Sequence, residues 1–254
     1  MNKFFFFTLF ILLASCKTVS VVEPVVDRIV TFPINIVYDH HVSSKNISQN
    51  IAYANKHLEK ANIRLELGTV KQDSLPEMYE AYRKVYTTEE WVAKSSDTLT
   101  LWIASEDENN MCRSNGGYTT CTRISGFTIR GGYLNKVFFS NLGFSNKYVF
   151  VHELGHYFGL LHTFETMFGK ELPDGSNGAT TGDMILDTPA DPYYMYEGTH
   201  VANGACEMFF KDWKPMVNNF MSYYRPCLLK DYAFTEGQYQ LMRNTAPFVT
   251  VRKK

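Results

Sequence analysis

The chain has 254 residues, 45% of them hydrophobic, a length and composition typical of one domain with a sizeable core. Its 25 Lys and Arg residues nearly balance its 26 Asp and Glu residues, which gives a formal net charge of -1. The charges are dispersed, and the C-terminal RKK is too short to be more than a solvated tail. Charge therefore gives no indication of a nucleic-acid partner.

The N-terminal sequence MNKFFFFTLFILLASC has the layout of a secretory signal. Lys3 is followed by an apolar run that is shorter than the roughly 20 residues needed to span a membrane. LASC at 13–16 resembles a bacterial lipobox, which implies lipidation of Cys16; an ordinary cleaved signal is the alternative. We therefore expect a lipoprotein signal peptide at 1–16, a short tether at 17–27, and an exported chain held at a bacterial membrane by its lipid.

Strand patterns rich in Ile, Val and Leu alternate with helical patterns in the first part of the chain. The predicted strands are 29–38, 63–71, 98–104 and 137–141, and the predicted helices are 46–61, 76–93 and 147–158. This alternation favours an upper α/β lobe that ends in the third helix. After Gly159, residues of the types Gly, Pro and Asp occur throughout, which predicts an irregular, loop-rich lower lobe.

The motif HELGHYFGLLH at residues 152–162 begins within the third predicted helix and continues past its end. His152 and His156 are four residues apart, so on a helix they lie about 40° apart on one face, one turn from each other. On a continued helix His162 would lie about 9 Å beyond His156, too far to share an ion with it. Gly159 stands between them and can end the helix by adopting a positive φ. The spacing therefore predicts two ligands on a helix, a bend at glycine, and a third ligand from the next segment.

Three histidines with an open fourth position form the ligand set of a catalytic zinc ion, since structural zinc sites are usually closed by four protein ligands. Zinc lowers the pKa of a bound water and polarises a carbonyl group. Glu153 lies beside the histidine pair and can accept the proton of that water as a general base. Three histidine ligands beside a glutamate base therefore indicate peptide hydrolysis. The alternative is a histidine-rich amphipathic helix that binds no metal, a coincidence on the order of 10⁻⁵ for chains of this length.

The sequence resembles the metzincin metalloproteases, whose signature H-E-x-x-H-x-x-G-x-x-H it matches at every fixed position. That family carries a methionine turn beneath the zinc, for which Met221 in NNFMSYY is the candidate. Tyr223 matches the Met-x-Tyr form, in which the hydroxyl lies near the metal. Without the upstream signature, both residues would be interpreted as ordinary core or rim positions. The resemblance implies an α+β catalytic domain with a twisted mixed sheet and a zinc helix above an irregular lobe.

A closer similarity is to the pappalysin, or cytophagalysin, branch of that family. It rests on HTF at 162–164, GDMILDTP at 182–189, NNFMSYY with Cys227 following, and FTEGQYQLMR at 234–243. FPINIVYDH and the helical stretch through ANKHLEKANI resemble the start of that branch's catalytic domain. The similarity spans roughly residues 28–246, is weakest at about 75–135, and implies a catalytic domain over 28–254.

The loop GDMILDTPAD offers several oxygen ligands at short spacing. Members of the resembled branch carry calcium in this lobe, and Asp183 and Asp187 are the predicted ligands, with Thr188 and Asp191 close by. The spacing is not that of an EF-hand. The alternative is a solvated turn in which the Asp side chains accept hydrogen bonds from backbone NH groups.

Apart from Cys16, the chain has four cysteines: Cys112, Cys121, Cys206 and Cys227. An even number in an exported protein predicts two disulfides. Pairing of nearest neighbours would join Cys112 to Cys121 across a Gly-Gly loop, and Cys206 to Cys227 around the methionine turn. Four cysteines allow three connectivities, and the sequence leaves all of them open.

Three functions are consistent with these features. The first is an extracytoplasmic zinc endopeptidase that acts on proteins or peptides, which the intact Glu153 favours. The second is a binding or adhesion lipoprotein on a metzincin-like scaffold that does not use its site. The third is a zinc amidase that acts on a cell-wall peptide, because the same zinc chemistry would serve it.

Overall fold

The structure is a computed structural model that describes residues 28–39, 42–75, 98–105, 111–115, 118–122, 124–129, 131, 135–193, 212–224 and 231–251. The predicted signal peptide with Cys16, the tether, the helix 76–93, Cys206 and Cys227 lie outside these residues. Over the described ranges, no helix combines the length and the apolar character needed to cross a membrane.

The described residues form seven strands and four α-helices. In chain order these are β1 (Val30–Tyr38), α1 (Ser44–Leu58), β2 (Ile63–Gln72), β3 (Leu99–Ala104), β4 (Met111–Asn115), β5 (Tyr118–Thr122), β6 (Gly126–Thr128), β7 (Lys136–Ser140), α2 (Asn141–Ser145), α3 (Lys147–Tyr157) and α4 (Glu236–Val251). A 3-10 turn, Glu59–Ala61, extends α1. All four predicted strands are confirmed, as are the predicted helix after β1 and the predicted zinc helix, which is α3.

The upper lobe is built on a mixed sheet with the strand order β2-β1-β3-β7-β6. The first four of these strands are parallel, and β6 pairs antiparallel with β7 at one edge. In β1, Phe32, Ile34 and Ile36 are buried at alternate positions, as a strand with one face in the core requires. They share one hydrophobic core with α1, α3 and α4. The α+β fold class expected from the sequence is confirmed.

The helix α3 is held rigidly because apolar side chains on nearly all of its sides are buried. Val149, Phe150, Val151 and Leu154 each expose 2% of their surface or less. At its N-terminus, the side chain of Asn146 accepts a hydrogen bond from the backbone NH of Tyr148 at 3.0 Å, a normal N-terminal cap. The packing therefore fixes the direction in which the metal-binding side chains of this helix point.

The lower lobe is loop-rich, as predicted, but it also contains a long helix. Residues 160–192 and 212–224 run through turns, with one isolated bridge between Asn219 and Ala233. The expectation that everything after Gly159 is irregular is wrong for α4. Four apolar side chains of α4 are buried on one face at helical spacing: Tyr239, Met242, Ala246 and Val249. Burial of this face against the main core stabilises the helix even though Pro247 lies inside it.

Candidate active site

The helix α3 places His152 and His156 on one face, as the spacing of four residues requires. Their ring centroids are 4.7 Å apart, and their Nε2 atoms are separated by 3.2 Å. His152 is buried, and His156 is half-buried. The two imidazoles therefore reach one common point from consecutive turns.

The chain reverses direction at Gly159, which has a φ of 100°. The NH of Gly159 donates to the carbonyl of His156, and the NH of Leu160 donates to the carbonyl of Gly155, each at 2.9 Å. This pair of bonds is the Schellman pattern that ends helices at a residue with positive φ. The reversal brings His162 back, so that its Nε2 lies 3.1 Å from the Nε2 of His156. The chain thus bends at Gly159, and His162 lies beside the two helical histidines.

The Nδ1 atoms of the two helical histidines show which nitrogen faces the common point. His152 Nδ1 lies 2.7 Å from the carbonyl oxygen of Phe220, and His156 Nδ1 lies 2.9 Å from that of Leu160. A carbonyl oxygen only accepts, so each Nδ1 carries the proton and each Nε2 presents a lone pair. Lone pairs this close repel one another unless a cation lies between them.

The dimensions of the cluster fit zinc. In a tetrahedral site with Zn–N distances of about 2.0–2.1 Å, ligand nitrogens are roughly 3.3 Å apart. The Nε2 separations of 3.1 and 3.2 Å are close to that value, and one atom from each of the three histidines lies within 4.8 Å of the others. In the part of the chain that the structure describes, this is the one group of three or more His, Cys, Asp or Glu residues with metal-binding spacing.

Glu153 points toward the edge of the sheet. Its side chain is 4% exposed and lies against Gly126, the first residue of β6. A Cβ atom at position 126 would be 2.8 Å from Cγ of Glu153 and 3.0 Å from its Oε1. Glycine at this position therefore leaves the space in which the carboxylate lies.

Met221 is fully buried beneath the zinc helix. Its Sδ would be 2.5 Å from a Cβ atom at Gly155, the residue before His156. The carbonyl of Met221 accepts a hydrogen bond from the NH of Thr163 at 3.2 Å, which ties it to the residue after His162. This turn thus contacts the segments on both sides of the bend at Gly159, where the methionine turn was expected.

Tyr223 lies at the rim of the histidine cluster. Its hydroxyl is 3.0 Å from the Nε2 of His162, and its ring packs edge-on against that imidazole with centroids 4.8 Å apart. On the other side of His162, Phe164 stacks in parallel at 4.7 Å. The hydroxyl therefore lies next to the point on which the three Nε2 atoms converge.

The sequence profile of the peptidase M43 family, described as pregnancy-associated plasma protein-A, matches residues 108–246, more than half of the chain. The chain belongs to the peptidase M43 family. The family is one of metalloproteases, so the chemistry indicated by the signature HELGHYFGLLH and the family agree.

Relatives of this peptidase M43 chain include an extracellular metalloprotease of Pyricularia oryzae, 33% identical over 118 residues. That match covers 46% of this chain and 34% of the relative, so the chain spans about a third of the relative's length. Among solved structures, metalloproteinase-II from Bacteroides fragilis is similar at 14% identity over 53% of this chain and 44% of that one, with a TM-score of 0.33. Archaemetzincin from Methanopyrus kandleri is 16% identical, and the match covers 56% of this chain and 79% of that one, with a TM-score of 0.33.

The lower-lobe segment 171–191 of this peptidase M43 chain contains two carboxyl groups, those of Glu171 and Asp183, whose pKa values are strongly raised. Burial, reinforced by the charges of Asp183 and Asp191, raises the pKa of Glu171 to about 7. Burial also raises the pKa of Asp183 to about 7, although the NH of Ile185 donates to it at 2.9 Å. One oxygen of each carboxyl group is buried without a hydrogen-bond partner, and the buried hydroxyl of Thr188 lies close enough to Asp183 to lower its pKa. Glu171 lies so close to Gly182, the neighbour of Asp183, that a Cβ atom there would be 2.6 Å from its carboxyl.

The other two aspartates of this loop have different partners. Asp187 accepts hydrogen bonds from the hydroxyl of Thr235 and the NH of Gly237, each at 2.9 Å, and so caps the start of α4. The structure therefore separates the predicted calcium ligands, since Asp187 caps a helix while Asp183 keeps a buried free oxygen. Asp191 accepts hydrogen bonds from Thr163, Tyr193 and Tyr224.

The cysteines of the described residues lie in the hairpin formed by β4 and β5. Cys112 and Cys121 are directly opposite each other in its antiparallel register. Cα atoms that face each other in such a pair are about 4.5–5.5 Å apart, within the range that a disulfide spans. The register of this hairpin therefore allows Cys112 and Cys121 to pair.

Several residues of the site were not identified from the sequence. Gly126, Asn219 and the carbonyl of Phe220 act across long sequence separations, and no spacing rule links them to HELGHYFGLLH; Asp191 was named only as a neighbour of the predicted calcium ligands. The nearest signal was the tripeptide HTF, since Thr163 follows a zinc-ligand candidate and has a hydroxyl that needs a partner. The sequence does not reveal that this partner is Asp191.

Proposed function

We propose that this peptidase M43 chain is an extracytoplasmic zinc-dependent endopeptidase. The observation that carries the proposal is the convergence of the Nε2 atoms of His152, His156 and His162 on one point, with Nδ1 of the two helical histidines held by carbonyl oxygens. Zinc held by these three histidines would supply an activated water molecule and an electrophile for the scissile carbonyl group.

The remaining steps fall to side chains of this chain. Glu153 accepts the proton of the attacking water and delivers it to the leaving nitrogen, as a general base and then a general acid. Tyr223 donates its hydroxyl proton in a hydrogen bond to the oxygen on which negative charge develops. An extended peptide pairs with the edge strand β6, whose first residue, Gly126, lies beside Glu153. An edge strand next to the base favours a peptide backbone as substrate.

The two alternative functions make different demands on the site. A binding or adhesion protein has no use for a buried carboxylate beside three histidines, so the presence of Glu153 in its glycine-lined space argues against it. A cell-wall amidase would use the same residues. Cleavage of a peptide library, compared with release of fragments from purified cell-wall peptide, distinguishes the endopeptidase from the amidase.

Replacement of Glu153 by Gln tests the hydrolytic mechanism. Glu153→Gln should retain about one zinc per chain, because Glu153 is not a ligand, and should lower kcat by at least roughly 10²-fold. His156→Ala should lose zinc and activity together. Tyr223→Phe should lower kcat by an intermediate factor with little change in KM. The measurements are metal content by mass spectrometry and steady-state kinetics on a cleaved peptide.

Full activity in Glu153→Gln would rule out the mechanism. Unchanged kinetics in Tyr223→Phe would remove that residue's role alone, because an aromatic side chain at the rim tolerates this substitution. Wild-type protein that binds zinc and cleaves neither peptides nor cell-wall material would leave the binding function as the better explanation.

Calcium is the second ion that we propose, as a structural component of the lower lobe. The support is the pair of buried carboxyl oxygens of Asp183 and Glu171 that have no hydrogen-bond partner, together with the hydroxyl of Thr188. Hard oxygen ligands of this kind suit calcium. The proposal keeps Asp183 from the sequence prediction and replaces Asp187, whose carboxylate caps α4.

Export and membrane attachment are proposals that rest on the N-terminal sequence. A matching relative is an extracellular metalloprotease, which supports export of this chain. Lipidation of Cys16 predicts acyl mass on the N-terminal peptide and partition of the cell-made protein into detergent, and Cys16→Ala should abolish both. A mature N-terminus at any other residue would contradict the anchor.

The exported state also predicts oxidised cysteines. We propose a disulfide between Cys112 and Cys121, whose opposed positions in the β4–β5 hairpin support it. Cys206 and Cys227 would form the second one. Peptide mapping without reduction should recover all four cysteines as disulfides, and free thiols at any of them would contradict that pairing.

A further inference from the structure

Asp191 is a buried carboxylate, 9% exposed, that sits beside the site without facing the metal-binding nitrogens. The Thr163 hydroxyl donates to its Oδ2 at 2.5 Å, and the Tyr224 hydroxyl donates to its Oδ1 at 2.5 Å. The NH of Tyr193 donates to Oδ1 at 3.0 Å. All three of these partners are donors, so the position suits a carboxylate, which only accepts. An amide would turn an NH₂ group toward one of these donors.

Two of these donors adjoin the residues that face the metal position. Thr163 directly follows His162, and Tyr224 directly follows Tyr223. One carboxylate therefore joins the segment that carries the third histidine to the segment that carries the tyrosine. These two segments come together at the 3.0 Å contact between the Tyr223 hydroxyl and His162 Nε2.

The third donor extends the same connection through aromatic rings. The ring of Tyr193 packs edge-on against Tyr223 at a centroid distance of 5.7 Å and contacts Phe164 at 4.9 Å. Phe164 in turn stacks on His162. Asp191 thus holds the backbone of Tyr193, whose side chain lies against neighbours of both functional groups.

We propose that Asp191 is a positioning residue that fixes His162 and the Tyr223 hydroxyl relative to each other. The inference rests on the proposed function, since it assigns Asp191 a role at the zinc site. Partners of metal ligands that act from outside the coordination shell typically contribute about 10- to 100-fold to metal affinity or activity. Asp191 contacts Thr163, the neighbour of His162, and not the imidazole itself, so we expect an effect at the lower end of that range, about tenfold.

The test is Asp191→Asn, measured by zinc affinity in a chelator competition and by the visible spectrum of the cobalt(II)-substituted protein. We expect the zinc dissociation constant to rise about tenfold, and the cobalt bands to shift because the ligand geometry relaxes. The matched control is Asp174→Asn, an exposed loop carboxylate that accepts a hydrogen bond from the NH of Ser176. It should leave the zinc dissociation constant and the cobalt spectrum as in the wild type.

Kinetics provide a second readout. Asp191→Asn should lower kcat more than it changes KM, and in the Tyr223→Phe background it should lower kcat by a smaller factor, because part of its effect acts through that hydroxyl. If Asp191→Asn does not fold, Tyr224→Phe and Thr163→Val each remove one donor and should each weaken zinc binding. Unchanged zinc affinity and cobalt spectra in the folded variants would overturn the inference. Zinc binding without peptide cleavage in the wild type would instead count against the proposed function alone.

Discussion

Gly126 determines where the carboxylate of Glu153 can lie. A Cβ atom at this position would be 2.8 Å from Glu153 Cγ, closer than side-chain atoms normally approach, so the glutamate would have to move. A displacement of about 1 Å in a catalytic group can lower the rate by roughly 10²-fold. Gly126→Ala should therefore lower kcat by between about 10- and 100-fold and leave zinc content unchanged. Metal analysis beside steady-state kinetics checks this.

The control for Gly126→Ala is the same substitution in a protein that already lacks the proposed base, Glu153. In the Glu153→Gln background, the added methyl group should change kcat little, because the group it displaces no longer accepts a proton. A loss of equal size in both backgrounds would show that Gly126 acts on substrate binding or on folding and not through Glu153.

The site residues predicted from spacing alone lie in one short segment, whereas Met221 and Tyr223 were predicted from the family resemblance. His152, His156 and Gly159 are linked by helix geometry, which is local, so their arrangement follows from the sequence. Gly126, by contrast, lies on the strand β6, 27 positions before Glu153, and has no side chain that would indicate its role. Its importance is visible only from the distance to its neighbour.

At the scale of elements, α4 is connected to the site through a buried amide pair. The side chain of Asn219 donates to Gln238 Oε1 at 2.9 Å and accepts from the NH of Met221 at 2.8 Å. Both Asn219 and Gln238 are fully buried. Phe220 lies between Asn219 and Met221 in sequence, and its carbonyl accepts a hydrogen bond from His152 Nδ1. The first turn of α4 therefore supports the turn that orients a histidine of the site.

Asn219→Ala tests this connection. The substitution removes one hydrogen-bond partner from the buried NH of Met221 and one from Oε1 of Gln238. Each buried group left unsatisfied lowers the free energy of unfolding by roughly 1–3 kcal/mol. We expect a lower free energy of unfolding and weaker zinc binding, because the Phe220 carbonyl loses its support. Denaturant unfolding and chelator competition measure the two effects.

The neighbouring Asn218 provides a matched control for that variant. It is the same residue type, and its side chain donates to the carbonyl of Asp231 at an exposed position. Asn218→Ala should change stability by no more than about 0.5 kcal/mol and leave zinc affinity unchanged. Equal losses in the two variants would mean that the turn as a whole, and not the contact between Asn219 and Gln238, sets the geometry.

The element α4 also shows where prediction from sequence fails. Its buried residues Tyr239, Met242 and Ala246 follow helical spacing, but Pro247 and the preceding loop-forming residues obscure this pattern. Strands such as β1 and β3 are predicted to within one residue because β-branched and leucine residues dominate them. Where the sequence pattern is weak, as in α4, burial against the rest of the protein determines the secondary structure, and that burial cannot be predicted from a single sequence.

At the scale of the whole molecule, the buried acidic cluster makes stability depend on pH. The pKa values of Glu171 and Asp183 are raised to about 7 in the folded protein, against roughly 4 in an unfolded chain. Between these values the folded state binds more protons than the unfolded state. The contribution of the cluster to stability is therefore complete below pH 4 and decreases as the pH rises to about 7.

If calcium binds the proposed site, it should reverse this loss, because it would neutralise the ionised carboxylates that are otherwise destabilising. In zinc-containing protein, we expect added CaCl₂ to raise Tm clearly at pH 8 and little at pH 5, where protons occupy the same oxygens. Asp183→Asn should weaken both the calcium response and the decrease of Tm with pH. Asp174→Asn is the matched control, since Asp174 is exposed and accepts a hydrogen bond from the NH of the nearby Ser176. Thermal unfolding with and without calcium compares them, and an equal calcium response in both variants would exclude Asp183 as a ligand.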